Sequence, residues 1–93
     1  MPVTIYIPGP LRSFSGGRQR VEIKSSPRTL QDALEELWNE YPGIRDRVVN
    51  EEGRLRQHIN IFVGTENARD TGYFATPLAK NAEISILPAV SGG

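Results

Sequence analysis

One stretch of this chain repeats its apolar residues with the period of a helix, and it restricts the fold more than any other feature. Leu30, Ala33, Leu34, Leu37, Trp38 and Tyr41 follow one another at i, i+3, i+4, i+7, i+8 and i+11. At 3.6 residues per turn these side chains fall on one face, while Gln31, Asp32, Glu35, Glu36, Asn39 and Glu40 fall mainly on the other. Thr29 is placed to cap the first turn, Asp32 suits its electrostatics, and Pro42-Gly43 stops the pattern. An amphipathic helix must bury its stripe. Four other segments alternate with period two, so the burying surface is a sheet.

The alternating segments are easily placed. Val3, Ile5 and Ile7 alternate with Thr4 and Tyr6, and Pro8-Gly9-Pro10 ends that strand. Residues 12–17 read as a loop in which Gly16-Gly17 permits the reversal of a hairpin. Gln19 to Lys24 is the second strand, with Val21 and Ile23 on one face and Arg20, Glu22 and Lys24 on the other. After the helix, Ile44 to Val49 reads as a short second helix that touches the core through Ile44 and Val48. Asn50 to Gly53 is a turn. Ile59, Ile61 and Val63 define a third strand, Gly64 to Asn67 is turn-like, and residues 71–81 read as irregular with a single helical turn. Ile84 and Ile86 define the last strand, which Pro88 closes.

The predicted order is strand, strand, helix, strand, strand. A hairpin packed on one face by a helix, with later strands completing the sheet, is the β-grasp pattern. The fold class is α+β, a mixed sheet packed on one main helix. The first and last strands are expected side by side and parallel in the middle, joined by a right-handed crossover. At 93 residues the chain is one small domain, expected over residues 1–88, with residues 89–93 as a flexible C-terminal tail. A core of this size leaves little room for a deep private substrate pocket, which favours a carrier or binding module over a self-sufficient enzyme.

Composition narrows the chemistry. Eleven Lys and Arg balance eleven Asp and Glu, so the basic excess of a generic nucleic-acid binder is absent. Arg18, Arg20, Lys24 and Arg28 read as a solvated strand face. With no cysteine there are no disulfides, thiolate nucleophiles or Cys-based zinc sites. His58 is the single imidazole and reads as an ordinary residue at the start of a strand, so no metal site and no bound cofactor are expected. The first residues show no signal peptide, and no run reaches the ~20 apolar residues of a membrane span. The expected setting is cytoplasmic, with neither nucleic acid nor membrane as partner.

The last five residues, Ala89-Val90-Ser91-Gly92-Gly93, carry the strongest chemical suggestion. A carboxylate is a poor acyl electrophile because its charge is delocalised. Joined to AMP it becomes a mixed anhydride, and a sulfur nucleophile can displace AMP to leave a thiocarboxylate. Glycine lacks Cβ, so its backbone can enter a narrow slot. Five extended residues reach ~17 Å, enough to carry the reacting carbon into a partner. Strand parity adds a second candidate. Tyr6, Phe62 and Leu87 point away from the core sets and form an exposed apolar partner surface if the helix covers only one sheet face.

The ending Ile86 to Gly93, with Pro8 to Leu11 before Gly16-Gly17, Asn60-Ile61-Phe62-Val63 and Ala75-Thr76-Pro77-Leu78, resembles the MoaD/ThiS family of ubiquitin-like sulfur carriers, and within it the carriers of cysteine biosynthesis. The resemblance implies a non-enzymatic co-substrate. Gly93 would bear the sulfur as its thiocarboxylate, Gly92 would give access, and Val90 and Ser91 would make extended tail contacts. The implied partners are an E1-like adenylating enzyme of MoeB/ThiF type, which consumes ATP, a PLP-dependent cysteine synthase and a JAMM-type zinc peptidase. Two alternatives use the same end: the small, MoaD-like subunit of molybdopterin synthase, and a ubiquitin-like protein modifier. Residues 64–69 and the stretch Lys80 to Glu83 depart from the turns common in relatives and bear on partner identity, not on the carboxylate chemistry.

Overall fold

A computed structural model describes residues 2–88. Strand β1 (Val3–Tyr6) pairs antiparallel with β2 (Arg20–Ile23), setting Val3 opposite Ile23 and Tyr6 opposite Arg20. Helices α1 (Leu30–Glu40) and α2 (Pro42–Val48) follow. Then come β3 (Ile59–Val63), β4 (Glu66–Asn67), α3 (Ala68–Thr71) and β5 (Glu83–Pro88). The sheet order is β2-β1-β5-β3-β4. The first and last strands lie side by side and parallel, Ile5 opposite Ile84, as the sequence predicts, and the mixed sheet packed on a main helix is the expected α+β architecture.

Each element follows from local chemistry. Thr29 is extended (φ −130°, ψ 163°) and its hydroxyl accepts the Asp32 N–H at 3.3 Å, which caps α1. The apolar stripe delivers Leu30, Ala33, Leu34 and Leu37 into the core, each 1% exposed or less. They meet Ile5, Ile7, Ile23, Ile61, Ile84 and Ile86 from the sheet, and Ile44 and Val48 from α2. Tyr41 leaves helical geometry (φ −133°, ψ 73°) because it precedes proline, and Pro42 then opens α2 in the first turn, where its missing N–H costs nothing.

Three segments differ from expectation. The link between β1 and β2 is a 3-10 helix over Gly9–Ser15, not a loop. Pro10 stands in its first turn, and Leu11 and Phe14, three apart, turn inward to the core. The helix stops at Gly16 (φ 65°), and the Gly17 N–H (φ 84°) bonds Arg12 O at 2.8 Å. Buried Ser15 directs its hydroxyl to Arg12 O and Arg18 O at 3.1 and 2.9 Å. Residues 66–67, expected as turn, form β4, which pairs with Phe62 and Val63 across a bend at Gly64. Two residues are too short to show a period.

Pro88 does not stop β5 but belongs to it, opposite Ile59. The Gly64 N–H bonds Glu83 O at 2.8 Å, which makes 64/83, 62/85 and 60/87 the hydrogen-bonded pairs and 59/88 a non-hydrogen-bonded one. The proline nitrogen therefore faces the side of β1, whose pairing with β5 has already ended at Tyr6 and Ser85. A residue without a donor is tolerated there.

Candidate functional site

Helices α1 and α2 and the buried isoleucines occupy one side of the sheet, which leaves the other side to the alternate residues of each strand. Register places Arg20, Tyr6, Ser85, Phe62 and Asn67 in one row across all five strands. Leu87, opposite Asn60, lies two residues further along β5 on the same face. Tyr6 and Phe62 flank the small Ser85, about 9–10 Å apart at two strand spacings. Leu87 is the diagonal neighbour of Phe62, within side-chain reach. The three residues singled out by strand parity thus share one apolar strip. Tyr6 and Phe62 are half-buried, and Leu87 is one of the most exposed large apolar side chains described, at 45%.

At its Tyr6 end the strip meets charged side chains. The Tyr6 hydroxyl donates to Glu83 Oε2 at 2.9 Å. That hydrogen bond, reinforced by the carboxylate charge, raises the Tyr6 pKa above the ordinary tyrosine value, against a smaller opposing pull from Arg20. The phenol therefore stays neutral and anchored across the physiological range.

Arg69, which sequence reasoning passed over as part of a variant turn, organises the edge beside the strip. Its Nη2 donates to Arg56 O and Ile59 O, both at 2.8 Å, and its Nε donates to Asn60 Oδ1 at 3.2 Å. The Ile59 carbonyl points away from β5, toward an edge that the two-residue β4 is too short to cover. The guanidinium finishes what β4 leaves undone. Asn67 sets it in place by capping α3, its Oδ1 accepting the Arg69 N–H at 3.0 Å. No periodic signal marks such a residue. The only sequence hint is a capping Asn two positions before an Arg.

Ile59 faces Pro88, so this clamp lies beside the last described residue of β5 and next to the apolar strip. Val90, Ser91, Gly92 and Gly93, the expected tail and reacting end, lie outside the described residues, as does the proposed boundary at residue 89. His58 is exposed immediately before β3. Among the described residues no three His, Cys, Asp or Glu side chains converge as metal ligands, and no helix is long and apolar enough to cross a membrane. A cleft of about 770 Å³ runs past Gly64, Thr71, Thr76 and Glu83, at the opposite end of β5 from Leu87.

Similarity to known proteins runs the length of the chain. The sequence profile of the ThiS family matches residues 5–93. The sulfur carrier protein CysO of Mycobacterium tuberculosis (strain ATCC 25618 / H37Rv) is 38% identical over 95 aligned residues that span 100% of both chains. Small archaeal modifier protein 1 of Haloferax volcanii is 32% identical over 84 residues, 89% of this chain and 91% of the relative. Among solved structures, a chain of the Amycolatopsis orientalis BexX/CysO complex superposes with a TM-score of 0.87 at 35% identity, covering 98% of this chain and 99% of that one. A β-grasp sheet with an open apolar strip, a family profile that reaches residue 93 and full-length identity to CysO converge, and the chain belongs to the ThiS family.

Proposed function

We propose that this protein is a sulfur carrier whose Gly93 carboxylate is adenylated and then converted to a thiocarboxylate that supplies sulfur for cysteine biosynthesis. The observation that carries this reading is the 38% identity to CysO across the whole of both chains, which sets the two C-terminal ends in register. The chain acts as co-substrate, and ATP is consumed by the partner. The strip of Tyr6, Phe62 and Leu87 is the docking face. It adjoins Pro88, so a partner that covers it stands where residues 89–93 continue. The Amycolatopsis CysO, seen in complex with a second protein, supports an arrangement in which the body docks and the end enters the partner.

The chemistry divides cleanly between the two proteins. The adenylating enzyme, of the E1-like MoeB/ThiF type, binds and consumes ATP and provides the site where AMP joins Gly93. This chain supplies an end without side chains, Gly92-Gly93, and extended contacts through Val90 and Ser91. A PLP-dependent cysteine synthase then takes the sulfur, and a JAMM-type zinc peptidase releases the product from the carrier. Incubation with ATP, an E1-like adenylating enzyme and a sulfur donor tests the first half. Intact mass should rise by one oxygen-to-sulfur exchange, confined to the C-terminal peptide. An unchanged mass with partners that thiocarboxylate CysO refutes the reading.

A second reading is favoured by the 32% identity to small archaeal modifier protein 1. In it, activated Gly93 forms isopeptide bonds with lysines of other proteins. Gly93-dependent conjugates with proteins other than this chain itself, in cell extract, separate it from the carrier reading, which gives thiocarboxylate and no such foreign conjugates.

A further inference from the structure

Of the eleven cationic side chains in this chain only two are lysines, Lys24 and Lys80, and the fold brings both to one cleft. The cleft holds about 700 Å³ between the start of β1, the end of β2 and the segment before β5. Pro2 and Ile23 line its floor, and Arg28 stands with the two lysines. No carboxylate lines it. Among the described residues the one ion pair is Arg45 with Asp46, so none of the three cations is in direct contact with a carboxylate. On their other sides Lys24 borders Glu22, Glu36 and Glu40, and Lys80 borders Glu66 and Glu83. The walls are fixed: the Leu78 N–H bonds Arg28 O and the Leu30 N–H bonds Thr76 O, each at 2.9 Å.

The cleft lies at the opposite end of the sheet from Pro88. Thr4 is level with Glu83, and Ile23 with Val3. Five steps along β5 separate that level from Pro88, about 17 Å, and Lys24 lies roughly two further steps beyond. Five extended residues after Pro88 also span ~17 Å. The chain's own end falls short of the Lys24 main chain and meets the amine only with tail and side chain both fully extended, whereas the end of another copy meets no such limit.

We propose that this cleft is an acylation site at which Lys24 or Lys80 accepts the adenylated Gly93 acyl group of a second copy. The inference rests on the adenylation proposed above. The neutral Nζ attacks the Gly93 carbonyl carbon. The N–C bond forms, the bond from that carbon to the phosphate oxygen breaks, AMP leaves with the electron pair, and a proton passes from nitrogen to solvent. The product is an amide, and no redox partner is needed. Arg28 and the remaining lysine face the departing phosphate. A guanidinium fork suits that anion, and three cations around a cleft that no carboxylate lines concentrate it. Arginine stays protonated and is no nucleophile, so the Arg-for-Lys usage elsewhere on the surface restricts acylation to this pole.

The test uses the full chain with the synthetic adenylate of acetyl-Ala-Val-Ser-Gly-Gly, and the thioester of the same peptide as a donor without phosphate. Acylation is read by peptide mapping. R54K provides a reference amine on an exposed turn outside the cleft. Lys24 and Lys80 together should react about tenfold faster than the amine introduced by R54K, the low end of electrostatic focusing. R28Q should slow the adenylate reaction and leave the thioester reaction unchanged. Equal rates in and out of the cleft, adducts confined to the N-terminal amine, or an R28Q effect that is the same for both donors overturns the proposal. Thiocarboxylate formation on the K24R/K80R chain reads the carrier function separately, since neither lysine belongs to the docking strip or the tail.

Discussion

Removing Arg69 should cost this small fold more than removing any other charged side chain. Its guanidinium makes two 2.8 Å bonds to main-chain carbonyls and a 3.2 Å bond to Asn60. Hydrogen bonds from a charged donor contribute roughly 1.5–3 kcal/mol each. The site is only partly buried, so water can replace some of what is lost and the lower figure applies. Two short bonds at that figure give about 3 kcal/mol for R69A, with the Asn60 bond as a margin. At ~4–8 °C per kcal/mol for a domain of this size, the expected fall in Tm is about 12–24 °C. R69K keeps a donor for one carbonyl at a time and should recover about half of the loss. Urea unfolding gives the free energies, and hydrogen exchange locates them. The amides of Asn60 and Leu87, which face each other across β3 and β5, should lose protection before those of Ile5 or Val21. A fall in Tm below about 4 °C for R69A, or uniform loss of protection across the sheet, refutes the clamp.

Other perturbations separate stability from function. L37A empties a fully buried position on α1 and should cost about 2–5 kcal/mol by urea unfolding. F62E with L87E should change stability by no more than about 1 kcal/mol yet slow thiocarboxylation by tenfold or more, about 1.4 kcal/mol or above of lost docking; equal rates show that the partner docks elsewhere. Removing Gly93 should abolish the sulfur-dependent mass shift and leave the melting curve intact. E83A should lower the ultraviolet titration midpoint of Tyr6. The folded-state value is raised because the neutral phenol donates to Glu83, so that stabilisation is present below the ordinary tyrosine range and disappears as pH climbs through the raised value. A Tyr6 midpoint that E83A does not move contradicts this.

The sequence announces those parts of the fold that repeat. Leu30 to Tyr41 is legible because six apolar residues keep one phase, and β1, β3 and β5 because isoleucines and valines alternate. Parity alone was enough to put Tyr6, Phe62 and Leu87 on a common face. It could not show that Ser85 sits between two of them, because that depends on pairing between distant strands. The 3-10 helix at Gly9–Ser15 hides behind Pro and Gly, which read as loop. Strand β4 is too brief to show a pattern. Pro88 misleads because its effect depends on which side of β5 its nitrogen faces, and that is set by register. Arg69 works entirely through side-chain contacts to main-chain oxygens, which no local composition encodes.

The central position of β5 has a consequence for biosynthesis. The strand that joins β1 to β3 follows both of them in the chain, so the two halves of the sheet cannot unite until synthesis has passed Pro88. A prematurely ended product lacks its keystone and stays open to proteases. Folding thereby inspects the chain for length, and every molecule that survives in compact form has been translated at least through β5.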